Sequence, residues 1–519
     1  MAAMREARWV RADLGDLEGA VDARLDRLPH VIPRIWARDH TVWGPDPTEI
    51  ADRLGWLDAP TRARTLVADL PRFAHEVAER GFTHAILLGM GGSSLAPDVF
   101  RQTFGVAPGM LDLQVLDSTH PDTIAEVERE VPLDRTLFIV SSKSGTTIET
   151  RSHVEYFLDQ VGDASRFVAI TDPGTPLEED ALDRGFLRVF GAPPDVGGRY
   201  SALTEFGLVP AALVGADLEG LLEEAAAAAE ACGPDVRIDE NPGALLGAIL
   251  GEAALSGRDK LTIVHAAVRA YTDMEPSTFG SAGAWVEQLV AESTGKEETG
   301  ILPVDREPGG SHRSEADRLF MTLGNLPGPG PGARVDAVRP PELGRAMFVL
   351  EFATAVAGHV LGINPFDQPD VQSAKDRTTE VLKAGEIPNE PEADLDELLG
   401  SVKPGDYVAI QAFIPPSDET WDELQGARGR IGEELDVATT LGYGPRYLHS
   451  TGQFHKGGPN TGVFLQMFEE PKEDRPIPGQ DFTFGRLIAA QAAGDLAALR
   501  ERGRRAGRIS RDTLLAWNR

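Results

Sequence analysis

Between Thr136 and Thr150 the chain reads TLFIVSSKSGTTIET, an order that permits little except a buried strand, a polar turn and a helix. Leu137–Val140 is the short apolar run of a strand covered on both faces, and Ile148, Val154, Phe157, Leu158 and Val161 then recur at helical spacing. The turn between them, Ser141 to Thr147, consists only of Ser, Thr, Lys and Gly. A helix N-terminus presents unpaired N–H groups and a partial positive charge, so added hydroxyls and a lysine suit it to a phosphate monoester. Ser and Thr are also the preferred N-caps, which makes plain capping the competing explanation. One cap does not need a whole turn of such residues.

A second turn of this kind lies upstream. After the apolar stretch His84–Leu88 comes GMGGSSLAPDVF, with Gly89, Gly91, Gly92, Ser93 and Ser94 at a helix entrance. The spacing is not the dinucleotide fingerprint G-x-G-x-x-G, and a simple tight turn would read the same way. The two turns together favour a sugar phosphate over a nucleotide.

Strand patterns at His84–Leu88, Leu111–Leu116, Leu137–Val140 and Phe167–Thr171 alternate with helical ones, which predicts an α/β fold with doubly wound parallel sheets. Residues 1–55 read as an N-terminal helical arm and 56–225 as a first domain carrying the phosphate loops. Residues 226–468 read as a second domain, with strands at Leu261–His265 and Tyr407–Ile414, and 469–519 as a helical tail. The Gly- and Pro-rich stretch 324–336 reads as an exposed loop. Ligands of open α/β sheets sit beyond the carboxyl ends of the strands, where both polar turns fall.

A net charge of −32 argues against nucleic acid or an anionic membrane as partner, so phosphate must be bound by a focused local site. Cys232 is the only cysteine, which rules out an intrachain disulfide framework and a zinc–thiolate cluster, and no metal is expected. No apolar run reaches ~18 residues and the N-terminus lacks a signal-peptide core, so a cytoplasmic protein without membrane spans is expected.

Further candidates lie apart in sequence. VGGRYSALT sets Arg199 behind two glycines, a way to present a guanidinium to a developing oxyanion, although a lone Arg is usually ion-paired at the surface. WVEQLVAESTGK places Gln288 and Glu292 on one helix, with Glu292 in the last turn, where the helix dipole disfavours negative charge. GINPFDQPDVQSAK supplies Gln368 and Lys375, and RYLHSTGQFHKGGPN supplies His449 and His455. A lone histidine is more often packed than catalytic, but the polar context of His449 suits a group titrating near neutrality.

GMGGSSLAP, SSKSGTTIET, VGGRYSALT, AESTGK and NPFDQPDVQSAK resemble, in that order, signature segments of the glucose-6-phosphate isomerase family, built from two sugar-isomerase (SIS) domains. RIWARDHTVWG, LHSTGQFHKGGPNTGVFLQ and PIPGQDFTFGRLIAAQAAGDL are similar to the isomerase half of bacterial transaldolase/glucose-6-phosphate isomerase fusions; no transaldolase half is visible. The resemblance implies that Ser142, Ser144 and Thr147 hold the phosphate with Lys143 nearby, that Gly92 and Ser93 form the adjoining loop, and that Gln288 and Gln368 contact substrate. It makes Glu292 the base moving a proton between C1 and C2, Arg199 the stabiliser of the enediolate, and Lys375 the lysine near the ring oxygen.

One element departs from the family order. The family places a His-Ser-x-x-Gln segment before the lysine motif; here the only such segment begins at His449, after Lys375, while His312 and His359 lack that context. In the family this histidine comes from a neighbouring subunit, so the resemblance implies a homodimer, with His449 as ring opener and His455 second. The expected reaction is the interconversion of glucose 6-phosphate and fructose 6-phosphate, in glycolysis and gluconeogenesis, without a cofactor. The alternatives are an isomerase also acting on mannose 6-phosphate and a non-catalytic module sensing sugar phosphates.

Overall fold

Five parallel strands form the first sheet: His84–Gly89, Asp112–Leu116, Thr136–Ser141, Phe167–Thr171 and Arg188–Gly191, the last unread in the sequence. The computed structural model describes residues 5–265, 282–308, 316–324, 332–336, 341–385 and 387–517. The strands lie in the spatial order second, first, third, fourth, fifth, so the chain reverses direction across the sheet between His84–Gly89 and Thr136–Ser141. Such a switch point opens a crevice at the carboxyl ends of the two strands. Register pairs Gly89 with Ser141, so the glycine turn and the Ser/Thr turn leave the sheet side by side.

The second sheet is built on Lys260–His265, with Arg318–Leu323 and Leu302–Val304 parallel on either side and Gly332–Val335 beyond. The crossover from Lys260–His265 to Leu302–Val304 carries the helix Ala282–Thr294, which brings Glu292 to this layer. The Gly- and Pro-rich loop is shorter than expected, because Gly332–Val335 is a strand; residues 325–331 before it lie outside the described residues. The N-terminal arm is not only helical. Val10 and Ala12 face inward while Arg11 and Asp13 face out, the period of a half-buried strand, and Arg5–Ala7 and Val10–Asp13 form a hairpin that pairs antiparallel with Gly332–Val335.

The α/β architecture with parallel sheets is as expected, and a third sheet joins it. Ala438–Tyr443, Tyr407–Phe413, Gly462–Phe468 and Arg505–Arg508 run parallel in that order, so the C-terminal tail contributes a strand as well as helices.

Helix Glu342–Leu361 is long and apolar enough to cross a membrane by length and composition alone, but 94% of its apolar window is buried inside the protein. It lies against Pro242–Leu255, where a Cβ on Gly247 would come within 2.5 Å of Val356 Cβ. Backbone-close packing of this kind makes it a core helix, stabilised by dense van der Waals contact as well as by burial.

Candidate active site

The Ser/Thr turn decides between capping and ligand binding by where its hydroxyls point. Thr147 occupies the N-cap of helix Ile148–Val161, yet its side chain makes no capping hydrogen bond. Its Oγ1 lies 3.1 Å from Ser142 Oγ instead, and Ser142 Oγ also accepts from the Gly145 amide at 3.2 Å. Ser142 is therefore the internal brace of the loop. It is 3% exposed and does not line the cavity, because its amide donates to the Ile170 carbonyl and turns the side chain inward. Ser144 and Thr147 face the cavity, and Lys143 lines it while its ammonium donates to Asp172 at 2.5 Å and to the Pro194 carbonyl at 3.2 Å.

The glycine turn is a packing junction as well as a ligand loop. A Cβ on Gly92 would lie 2.0 Å from the Gly198 carbonyl oxygen, and one on Gly91 would lie 2.7 Å from the His449 carbonyl oxygen. The absence of side chains lets three separate loops meet backbone to backbone. Ser93 is held at the same turn and lines the cavity.

Arg199 is buried and spends its guanidinium on three partners. Nη1 lies 3.1 Å from Glu292 Oε1, Nε donates to Ser293 Oγ at 3.1 Å, and Nη2 donates to the Asp367 carbonyl at 2.6 Å. Gln288, one turn before Glu292, donates from Nε2 to Glu292 Oε2 and to the His449 carbonyl, each at 3.0 Å, while its own Oε1 is buried without a partner among the described residues. The carboxylate at the unfavourable helix end is thus offset by a guanidinium and an amide, both supplied by the site. Lys296, from AESTGK, donates to the carbonyls of Asn364 and Asp367 and to the Asp367 carboxylate, tying the 364–368 loop to the Glu292 helix. Burial first, and Arg199 second, push its ammonium down to about 8.

His449 reaches this cavity from its own chain. Its Nε2 lies 3.0 Å from Glu149 Oε1, an oxygen that also accepts from Gln491 Nε2 at 2.7 Å. Burial would push the Glu149 carboxyl up, but the charge and hydrogen bond of His449 outweigh it and hold the group below its ordinary value. The histidine expected from a neighbouring subunit is therefore placed within one protomer, because the third sheet folds the 446–457 segment back over the first. His455 is elsewhere: it is packed against Tyr407, with Nδ1 3.0 Å from the Tyr407 hydroxyl, and burial pushes it down to about 3. His359 Nδ1 sits 2.8 Å from the Val42 carbonyl, and His312 lies outside the described residues.

Eleven of the residues to which the resemblance gives a role, from Gly92 to His449, line one cavity of about 410 Å³, with Ser142 behind it and the second histidine, His455, elsewhere. Lys375 and Gln368 stand at its exposed side, and Glu292 and Arg199 at its buried side. Sequence reasoning missed Glu149, which sits inside the opening motif but reads as an ordinary first-turn acid. It also missed Glu49 and Arg53 of the N-terminal arm, which line the same cavity and carry no motif. Among the described residues no group of three His, Cys, Asp or Glu is placed to hold a metal ion.

The phosphoglucose isomerase family model matches residues 75–299, from before the first strand through Glu292 and Lys296. The glucose-6-phosphate isomerase of Rubrobacter xylanophilus is 28% identical over 449 residues, covering 72% of this chain and 97% of that protein. That of a Cyanothece species is 38% identical over 224 residues, 42% of this chain and 40% of the relative. Among solved structures, a hypothetical protein from Thermus thermophilus superposes with a TM-score of 0.60 at 24% identity, over 72% of this chain and 99% of that one. A glucose-6-phosphate isomerase from Chlamydia trachomatis gives 0.55 at 20% identity, over 74% and 90%. These two likenesses speak to the fold. The sequence matches run through segments that build the cavity, and over these the chain is similar to phosphoglucose isomerases.

Proposed function

We propose that the chain interconverts glucose 6-phosphate and fructose 6-phosphate. The observation that carries the reading is the convergence of Glu292, Arg199, Lys375 and His449, from four distant stretches, on the cavity that also holds the Ser144–Thr147 turn. The phosphate sits at the N-terminus of helix Ile148–Val161, where amides and hydroxyls meet it. His449, oriented by Glu149, opens the ring together with Lys375. Glu292 then takes the C2 proton and returns it at C1, a step worth about 10²–10⁴-fold to a positioned base. Arg199, already 3.1 Å from Glu292, shares its charge with the oxygens of the cis-enediol, at about 3–4 kcal/mol for a donor aimed at developing charge.

The proton never leaves one carboxylate, so the reaction calls for no cofactor. The reading includes a cytoplasmic homodimer without nucleic-acid or membrane partners. The histidine no longer argues for the dimer, since it comes from the same chain. The test adds fructose 6-phosphate to purified protein and follows glucose 6-phosphate through a coupled dehydrogenase. Folded protein that yields no product overturns the proposal.

A further inference from the structure

A second cavity, of about 250 Å³, lies on another face of the Ala282–Thr294 helix, between it, the third sheet and helix Asp418–Leu435. Its walls include Glu287, Gln411, Trp421, Tyr443 and Arg446. Gln411 is the informative one. It is 1% exposed, and among the described residues neither its amide nitrogen nor its amide oxygen has a hydrogen-bond partner. Leaving such a group orphaned costs stability, and native proteins rarely keep one without a use.

The chemistry of the walls narrows the occupant. Trp421 and Tyr443 stack with ring centroids 6.3 Å apart and planes at 21°, giving apolar ring surface beside the amide. Burial, and then the neighbouring Asp305 carboxylate, push the Glu287 carboxyl up, so that it can donate a hydrogen bond as well as accept one. The three guanidiniums on its walls are already engaged. Arg446 pairs with Asp98 at 2.9 Å and Asp117 at 3.3 Å, Arg428 donates to the carbonyls of Thr439 and Asp305, and Arg306 faces Asp305 at 3.8 Å while lying over the Trp421 ring. An anion finds little to bind, whereas donors and acceptors beside aromatic rings match hydroxyl groups on a small ring. The volume falls below the ~300–1,000 Å³ of most small-molecule sites, which limits the occupant to about one sugar unit.

We propose that this cavity binds a neutral polyhydroxylated molecule, a free monosaccharide or cyclic polyol, and that its occupancy is felt at the active site. The route is short. Glu287 precedes Gln288 on the helix that bears Glu292, and Arg446 begins the turn Arg446–His449 that ends in the active-site histidine. An occupant that shifts either wall shifts an acid–base group.

Calorimetric titration of the full chain with glucose, myo-inositol and glycerol, up to about 100 mM each and with fructose 6-phosphate present throughout, tests the assignment. At least one probe binds saturably and changes the kcat of the wild type. Gln411→Leu weakens that binding about tenfold or more and abolishes the effect on kcat, with the activity of the unliganded variant unchanged. Trp421→Leu, on a different wall, serves as the second variant if the first does not fold. No saturable binding by any probe overturns the proposal, as does binding of equal strength in a folded variant. Displacement of the bound probe by inorganic phosphate overturns the neutral class.

Discussion

Two inactive variants of a single-chain site cannot rescue each other, and this separates the observed geometry from the arrangement the family resemblance implies. Glu292→Gln keeps the shape of the side chain that Arg199 contacts while removing the proposed base, and His449→Ala removes the proposed ring-opening group facing Glu149. Each variant alone should fall by about 10²–10⁴-fold on intact sugar. Suppose the histidine crossed between subunits of a two-fold dimer. Random mixing makes half the dimers hybrid, and one site in each hybrid receives neither lesion, so about a quarter of wild-type activity returns. With His449 and Glu292 on the same cavity of one chain, and Glu149 of that chain holding the histidine, every site keeps a lesion and activity stays at the floor. The assay co-refolds the two variants in equal amounts and follows glucose 6-phosphate with a coupled dehydrogenase. Recovery to about a quarter of wild type would refute the single-chain site.

Other outcomes follow from the same contacts. Glu149→Gln loses a charge-assisted hydrogen bond to His449, worth about 1.5–3 kcal/mol, so kcat falls about 10–150-fold with KM little changed; the split in steady-state kinetics checks it, and a change in KM alone would contradict it. Lys296→Met leaves the Asn364 and Asp367 carbonyls without their shared donor and loosens the loop that holds Arg199, so both melting temperature and kcat drop. Glu351 is fully buried, neither carboxylate oxygen has a partner among the described residues, and burial pushes the group well above the usual carboxylate range. The unfolded chain loses this proton as pH rises through the ordinary carboxylate value while the folded chain keeps it, so the penalty is absent in acid and grows toward neutrality. Glu351→Leu should therefore stabilise the protein by about 1–3 kcal/mol, and by more at pH 8 than at pH 5 in thermal melts; a gap that does not widen with pH counts against this reasoning.

The strand–turn–helix units of the first sheet were legible because a buried parallel strand and a polar turn have local signatures. The helix bearing Glu292 was legible for the same reason. What escaped was set by long-range pairing. Ser142 and Ser144 look equivalent in sequence, and only the hydrogen bond from the Ser142 amide to Ile170 turns one inward. The strand Gly462–Phe468 went unread, and nothing near it says that Arg505–Arg508 will pair alongside. Glu149 acquires its role from His449 and Gln491, each about 300 or more residues away, so no local pattern records it.

That separation has a consequence for how the protein comes into being. By the time a growing chain has passed Lys375 it possesses the Ser144–Thr147 turn, Glu292, Arg199 and Lys375, the groups proposed to grip a sugar phosphate and move its proton. The segment with the proposed ring opener His449, and Gln491 behind it, are still unmade or inside the ribosome. Contacts so distant in sequence form late in folding. Nascent or C-terminally clipped molecules are then expected to sequester substrate without turning it over, and catalytic competence itself reports that the C-terminal sheet has docked.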